Sequence, residues 1–231
     1  MKSRLSLYGV TIVSCFILFS CTKEAEPVSP SGNFTAEQVL KKGTKWIYGN
    51  TYFDSTGAVT RTGAAYNDTI VILGDTLVEN TRWFISSVQY NVDIYVVQAI
   101  GFRNGEYWKF LRGKCSRFDT VSMSPLFRNG LKQDESFECV YCLTVATGSE
   151  IRYKRTVIDT NVPVIVNSET YDCQKIKETK MAPDAYGNFE YQYYFYNSVY
   201  GLIRHEYYSK TKGGTIYRAS ESMLLGVVII R

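Results

Sequence analysis

The sequence predicts an all-β protein with a minor helical part, built as a single curved antiparallel sheet that forms a half-barrel or a barrel. Two observations support this prediction. Aromatic residues make up 15% of the 231 residues and include 19 tyrosines, and tyrosine, like the β-branched residues, favours strands. Turn-forming pairs such as Asn-Gly and Gly-Gly recur at spacings of roughly 8 to 14 residues, which is typical of an antiparallel meander.

The first 20 residues have the layout of a secretory signal peptide. Lys2 and Arg4 precede a mostly apolar run at 5–19, and small residues follow that run. The run has about 15 residues, which is too short for a helix that spans a hydrocarbon core of roughly 30 Å. We therefore predict that residues 1–20 are a signal peptide.

The end of this segment resembles the lipobox of bacterial lipoproteins, because Leu-Phe-Ser-Cys stands at 18–21. The resemblance implies cleavage before Cys21 and acylation of its sulfur and its new amine by chains such as palmitate. More than one acyl chain gives stable anchoring. A second match, Ile-Val-Ser-Cys at 12–15, would leave an apolar stretch on the mature N-terminus, so we favour Cys21. An ordinary signal peptide or membrane anchor with an incidental cysteine is the alternative.

Residues 21–32 are predicted to be the lipidated cysteine and a flexible tether, with Pro27, Pro30 and Gly32 and almost nothing to bury. Cys-Thr-Lys-Glu-Ala-Glu at 21–26 also resembles the signal that sends some lipoproteins to the outer face of the outer membrane. We therefore expect a protein that is lipid-anchored at the outer membrane, with exposure at the cell surface as a further expectation. Residues 33–231 are enough for one β-rich domain.

One short helix is predicted at 36–42, where the domain begins. Thr35 and Gln38 have the spacing of a capping box, and Gly43 provides a left-handed stop. We expect Val39 and Leu40 to plug one end of the fold.

The strands follow from Lys45 onward and are separated by turn chemistry. Turns are predicted at Gly74-Asp75, Asn104-Gly105, Asn129-Gly130, Thr147-Gly148, Tyr186-Gly187-Asn188 and Gly213-Gly214. The predicted strands are 45–54, 64–73, 81–90, 92–101, 106–112, 116–124, 136–146, 150–159, 162–167, 170–179, 189–197, 201–209, 213–219 and 222–230. The last strand is almost entirely apolar from Met223 to Ile230, which predicts burial on both faces and a role in closing the sheet.

The C-terminal third resembles a broad group of periplasmic and outer-membrane lipoproteins. The stretch 162–173 is similar to a Val-rich strand that turns into Gly-Thr-Phe-x-Cys in that group, with Ser168-Glu169 in place of the turn glycine. Tyr-Tyr-Phe-Tyr at 193–196 and Gly-Leu-Ile-Arg-His-Glu at 201–206 are similar to the group's Tyr-Tyr … Val-Gly-Leu-Val-Lys-x-Glu signature. The resemblance implies a half-barrel similar to lipoprotein carriers, and little about function, because most members have no known activity.

Charge and composition narrow the possible partners. The formal net charge is +4, which falls to about +2 without Lys2 and Arg4. The basic residues are scattered among acidic ones, whereas nucleic-acid binding needs a basic stripe. We predict a membrane contact through the lipid anchor, an outer-membrane protein complex as a candidate partner, no nucleic acid and no cofactor.

Four cysteines remain after the anchor: Cys115, Cys139, Cys142 and Cys173. Cys139 and Cys142 have the spacing of a redox or metal pair, but they fall in a predicted strand, where residues three apart point to opposite faces. A redox pair would also need a helix N-terminus to stabilise its thiolate. An exported location permits a disulfide, so one structural disulfide and buried free thiols both remain open.

No sequence pattern assembles a catalytic site. His205, the only histidine, is expected in a solvent-facing row. A catalytic triad needs a nucleophile, a base and an orienting group, and no nucleophile-elbow sequence is present. Paired carboxylates need not be close in sequence, but no signal points to them. We predict a protein that is not an enzyme, with no catalytic and no metal-binding residue.

Four aromatic residues, Phe189, Tyr191, Tyr193 and Phe195, form a row of period two, which predicts that they share one face of a strand. They are the candidate ligand-facing aromatics, because rings on a concave sheet can hold a sugar or an acyl chain. Core packing is the alternative.

Two functions from different classes remain. The first is a non-enzymatic accessory or structural lipoprotein that docks through an exposed tyrosine-rich surface. The alternative is a carrier that holds an apolar or glycan ligand in the concave face. The short helix, roughly 10 Å long, is too small to cover the sheet alone, and the many aromatic side chains favour a self-filled interior. We therefore favour the accessory function.

Overall fold

The computed structural model describes residues 34–78, 81–90, 94–103, 106–111, 122–142, 150–181 and 189–229. These residues form one short α-helix, one 3₁₀ turn and thirteen strands. In chain order the elements are α1 Ala36–Val39, β1 Lys45–Phe53, β2 Val59–Arg61, the 3₁₀ turn Ala64–Tyr66, β3 Asn67–Val78, β4 Thr81–Tyr90, β5 Ile94–Arg103, β6 Glu106–Leu111, β7 Ser122–Phe127, β8 Ser136–Cys142, β9 Glu150–Val166, β10 Glu169–Lys180, β11 Phe189–Asn197, β12 Gly201–Lys210 and β13 Ile216–Val228.

The strands form one antiparallel sheet that is nearly closed into a barrel. Its order is β7-β6-β5-β4-β3-β1-β13-β12-β11-β10-β9-β8, with β2 paired to β1. Most neighbours are consecutive in sequence, and the long-range pairing of β1 with β13 joins the two halves of the meander. The predicted curved antiparallel sheet is confirmed. The last strand pairs with the first in the middle of the sheet, and the two ends of the sheet are β7 and β8.

Side chains bridge the seam between β7 and β8, where the path of paired strands ends. Ser124 Oγ accepts a hydrogen bond from the Val140 amide at 2.8 Å and donates one to Cys139 Sγ at 3.2 Å. Arg155 Nη1 donates to the carbonyl of Leu126. The seam between the two end strands is therefore held by side-chain hydrogen bonds.

Several strand boundaries differ from the prediction, and bulges are the main reason. The predicted turn at Gly74 is wrong, because Gly74 lies inside β3 beside an irregularity in its pairing with β4, and a glycine in a strand often marks such a site. The segments 150–159 and 162–167 form the single strand β9. The predicted burial of the last strand on both faces is also wrong, since Leu225 is 40% exposed.

The helix plugs one end of the barrel. Thr35 and Gln38 form the predicted capping box, and Gly43 has a φ of 88°, the left-handed stop that was expected. The α-helix itself ends at Val39, three residues earlier than predicted. Val39 and Leu40 are almost fully buried in the main apolar cluster.

Tyrosine and tryptophan side chains cross the interior above the helix. Trp46 Nε1 donates to the carbonyl of Tyr200 at 3.2 Å, and the Tyr48 hydroxyl donates to that of Leu202 at 2.9 Å. The Tyr107 hydroxyl, on the opposite wall, donates to the carbonyl of Val199 at 2.8 Å. These contacts tie β1 and β6 to the turn between β11 and β12 and to the start of β12, so the rings fill this part of the barrel.

Candidate functional site

A break in strand register divides the predicted aromatic row of β11. The pairing of β11 with β12 shifts between Phe189 and Tyr191, and a bulge changes which face a side chain occupies. The ring of Phe189 lies 5.7 Å from that of Tyr153 and 5.6 Å from that of Tyr207, on the inner face. The prediction that all four aromatics share a face is therefore wrong for Phe189.

The remaining members of the row lie on the outer face of the barrel. Tyr196, which has the opposite parity on β11, is buried and packs on Phe127 in the interior at 5.6 Å between ring centroids. Because side chains alternate along a strand, Tyr191 and Tyr193 point outward, as does Phe195. The expectation that this row lines the concave face is corrected accordingly.

Tyr191, Tyr193 and Tyr208 form a cluster of rings on this outer face. Tyr191 stacks on Tyr208 with centroids 4.7 Å apart. Tyr193 meets both of them edge to face, at 5.3 Å from Tyr191 and 5.7 Å from Tyr208. All three rings are partly exposed. Offset-stacked and edge-to-face geometries are the favourable ones for aromatic pairs, so the cluster is a fixed feature of the surface.

Two lysines of β10 hold their ammonium groups over these rings. Lys175 Nζ lies 4.4 Å from the centroid of Tyr193, and Lys177 Nζ lies 4.4 Å from that of Tyr191. Within the described part of the chain, no carboxylate lies within 4 Å of either ammonium. We call the five residues Tyr191, Tyr193, Tyr208, Lys175 and Lys177 the tyrosine–lysine surface. The sequence analysis does not predict the two lysines as part of a site. Their alternation along β10 nevertheless matches that of the aromatic residues along β11, and this pattern indicates that the lysines and the aromatic row share one face.

Phe195 lies beneath the charged side chains and is buried. Lys175 Nζ is 5.4 Å from its ring centroid on one side, and the guanidinium of Arg204 is 5.4 Å from it on the other. This ring is 5% exposed, so it supports the surface from below and offers little contact area of its own.

A charge-balanced network borders the tyrosine–lysine surface on β12 and β13. Arg204 lies 2.6 Å from Glu206 and 2.7 Å from Glu221. Arg218 lies 3.0 Å from Glu221 and 3.5 Å from Glu206. Because two arginines meet two glutamates, the network is neutral, and the net positive charge of this face comes from the lysines.

Tyr193 and Tyr208 keep their hydroxyl protons at neutral pH. Burial raises the pKa of Tyr208 to about 12, with the nearby Glu206 carboxylate as the second cause. Burial also raises the pKa of Tyr193, helped by Tyr191 and Glu206. The Tyr208 hydroxyl donates to Glu206 at 3.3 Å. These hydroxyls are therefore suited to hydrogen bonding and poorly suited to nucleophilic attack.

His205 lies on the inner face of the barrel, and the prediction of a solvent-facing position is wrong. Its ring stacks on Tyr194 with centroids 4.6 Å apart, and its Nε2 is 2.6 Å from the side-chain oxygen of Gln192. The sequence does not identify the inner face of β12, because Leu202, Ile203, Tyr207 and Tyr208 place apolar or aromatic residues at both parities.

An ion pair is buried beside His205. Arg155 Nε lies 2.7 Å from Glu178 Oε2, and both side chains are almost completely inaccessible to solvent. The guanidinium also sits 4.4 Å over the ring of Tyr194, whose hydroxyl donates to Glu178 at 3.3 Å. The arrangement is a satisfied structural network, since a buried charge is tolerated when it is paired and hydrogen-bonded.

The remaining predicted residues have mixed outcomes. Cys139 and Cys173 are buried free thiols, and burial raises the pKa of Cys173 to about 12. Cys21, Cys115 and the side chain of Cys142 lie outside the described residues.

Within the described ranges, no three His, Cys, Asp or Glu side chains gather as metal ligands, and no helix is long and apolar enough to cross a membrane.

The comparisons with known proteins give a likeness of fold. No protein-family model matches the chain, and no curated protein matches it significantly. A solved structure from Bacteroides fragilis, of a protein inferred to be exported and described as having a YmcC-like fold, has a TM-score of 0.51 and 12% identity over 81% of this chain and 96% of that one. A structure from Parabacteroides distasonis, of a protein inferred to be a lipoprotein, has a TM-score of 0.49 and 15% identity over 81% of this chain and 96% of that one. At 12% identity the first likeness shows the fold alone.

Proposed function

We propose that this protein is an exported lipoprotein, acylated at Cys21 and held at the outer membrane, where it has an accessory or structural role and catalyses no reaction. The observation that carries the accessory role is the filled interior of the barrel. Trp46, Tyr48 and Tyr107 occupy the space above the helix and are fixed by hydrogen bonds to backbone carbonyls.

A carrier needs an apolar space that its ligand can enter, and ligand sites are usually preformed cavities. Here the inner face toward the opposite end carries the buried Arg155–Glu178 pair and the Tyr194, Gln192 and His205 contacts. An acyl chain would have to displace these polar groups from their partners at a cost of several kcal/mol. The inner face is therefore better suited to holding the barrel together than to carrying a lipid.

Two further observations support the export part of the proposal. The signal segment resembles a lipoprotein signal peptide that ends at Cys21. The Bacteroides fragilis protein that shares the fold is itself inferred to be exported.

Labelling with a fatty-acid analogue tests the anchor. Cys21→Ala should abolish incorporation of an alkyne-palmitate analogue and remove the protein from the outer-membrane fraction, because the acylated sulfur is lost. Cys15→Ala is the matched control and should keep both labelling and location. Equal labelling of the Cys21→Ala protein would refute the assignment of the anchor.

Extraction of the purified protein tests the accessory role against the carrier role. Protein isolated without detergent, extracted with organic solvent and analysed by mass spectrometry, should yield no stoichiometric lipid or glycan apart from its own acyl chains. A stoichiometric guest would reverse the order of the two functions.

A further inference from the structure

The tyrosine–lysine surface combines three features that point to a partner. Its rings are partly exposed, they are fixed against one another, and two ammonium groups lie over them without a carboxylate partner in the described residues. Tyrosines concentrate at the energetic centres of protein interfaces, and charged side chains at their rims. We propose that this surface is the docking site for a protein partner that presents a carboxylate-rich segment. The inference rests on the proposed accessory function and names the surface and the partner's chemistry.

The charge on this face favours an acidic partner. Lys175 and Lys177 contribute two positive charges, and the adjoining network of Arg204, Arg218, Glu206 and Glu221 is internally balanced. On the neighbouring strands the outer face is balanced. Exposed Arg152 and Lys154 of β9 are offset by Glu138, which pairs with Arg152 and lies opposite Lys154, and by Asp159, which lies opposite Lys175. The excess positive charge of this face is therefore that of Lys175 and Lys177. Complementary charges steer association and suppress wrong partners.

The positions of the lysines favour a polypeptide over a glycan. A sugar ring would stack on the open face of an aromatic ring, but an ammonium lies 4.4 Å over Tyr193 and another 4.4 Å over Tyr191. Carboxylates can instead approach the ammonium groups from outside without displacing them. Because the cation–π contacts hold the lysines in place, binding costs less side-chain entropy than it would for free lysines.

The apolar side chains make a membrane surface a weaker candidate. An interfacial segment buries apolar side chains in the headgroup region. The most exposed large apolar side chains in the described ranges, Leu77 and Ile165 at 67% each, lie on β3 and near the tip of β9, away from the tyrosine–lysine surface.

A binding assay with defined probes tests the proposal. The lipidated full-length protein in detergent micelles is titrated into fluorescein-labelled poly-L-glutamate at low salt, and anisotropy is recorded. Lys175→Gln/Lys177→Gln should weaken binding about three- to thirtyfold, since each exposed charge contributes modestly. Tyr193→Leu, with an unchanged circular dichroism spectrum, should weaken binding as well.

The matched control is Lys41→Gln/Lys42→Gln, which removes two exposed lysines next to the helix at the plugged end. This variant has the same net charge and should bind the probe like the wild type. Equal weakening in both double variants would mean that only net charge matters, and it would overturn the proposal.

Tighter binding to polygalacturonate or to phosphatidylglycerol vesicles than to poly-L-glutamate would overturn the proposal in favour of a glycan or a membrane. Failure of the wild-type protein to bind poly-L-glutamate, with intact labelling at Cys21, would refute this inference and leave the proposed anchor standing.

Discussion

At the scale of single residues, the fold places its only histidine in an environment that opposes protonation. Burial lowers the pKa of His205 to about 4, and the charge of Arg155 contributes in the same direction. An unperturbed histidine has a pKa near 6.5. Between these two values the unfolded chain binds a proton that the folded chain does not, so the stability of the fold should fall as the pH drops from about 6.5 to about 4.

This difference predicts a pH-dependent loss of stability on the order of 3 kcal/mol that is specific to His205. Urea unfolding at pH 7 and at pH 4.5 should show a larger loss for the wild type than for His205→Gln, which keeps a polar group next to Gln192 and cannot titrate. Comparing the two proteins removes the contribution of carboxylates common to both. The same loss in both proteins would contradict the inward, desolvated placement of the ring.

Residue identities predict contacts well only where they act locally. The capping box of Thr35 and Gln38 depends on three-residue spacing, and the structure contains it as predicted. The faces of Phe189 and His205 depend instead on register, and the register of β11 shifts against β12 at two places. Because β11 has aromatic residues at both odd and even positions, its sequence pattern does not show where the register shifts.

At the scale of elements, the β9–β10 hairpin turns through two residues with left-handed backbone. Asn167 has a φ of 49° and Ser168 a φ of 70°, the pattern of a primed two-residue turn. The Asn167 side chain donates to the carbonyl of Leu225 at 2.5 Å, which fixes the tip of the hairpin against β13. The lipoprotein pattern, which has a glycine in this turn, therefore predicts the location of the turn correctly. In this chain Ser168 occupies a position with a positive φ, which is strained for a residue with a Cβ.

Ser168→Gly should raise the free energy of unfolding by about 0.5–1 kcal/mol. Glycine adopts a positive φ without the steric cost of a Cβ, and this gain exceeds the entropy that glycine adds to the unfolded chain. Urea denaturation followed by tyrosine fluorescence measures the effect.

The control for this substitution is Ser198→Gly, at an exposed turn position where φ is not positive. Here glycine adds unfolded-state entropy and relieves no strain, so stability should fall by about 0.5–1 kcal/mol. A decrease in stability for both variants would show that the hairpin does not hold Ser168 in the left-handed region.

At the scale of the whole molecule, closure depends on two different kinds of contact. The pairing of β1 with β13 is a regular ladder, and the apolar last strand predicts that it closes the sheet. The seam between β7 and β8 depends on single side chains, including Arg155, which bonds to the Leu126 carbonyl of β7 and pairs with Glu178 of β10. Nothing in the sequence brings Arg155 and Glu178 together, because their meeting depends on the turn at 167–168 and on two register shifts between β9 and β10.

Arg155→Met should destabilise the whole barrel by about 3–5 kcal/mol, because it leaves the Glu178 carboxylate buried without its cation and removes one of the bonds that hold the seam. Arg155→Met/Glu178→Leu should be less destabilised than Arg155→Met alone, since the double variant leaves no unpaired buried charge.

Arg82→Met is the matched control. Its partner Asp75 also lies 2.7 Å away, but both side chains are largely exposed, so the loss should stay within about 1 kcal/mol. Urea unfolding at pH 7 measures all three variants, and a loss for Arg155→Met as small as that for Arg82→Met would mean that the pair neither is desolvated nor holds the seam.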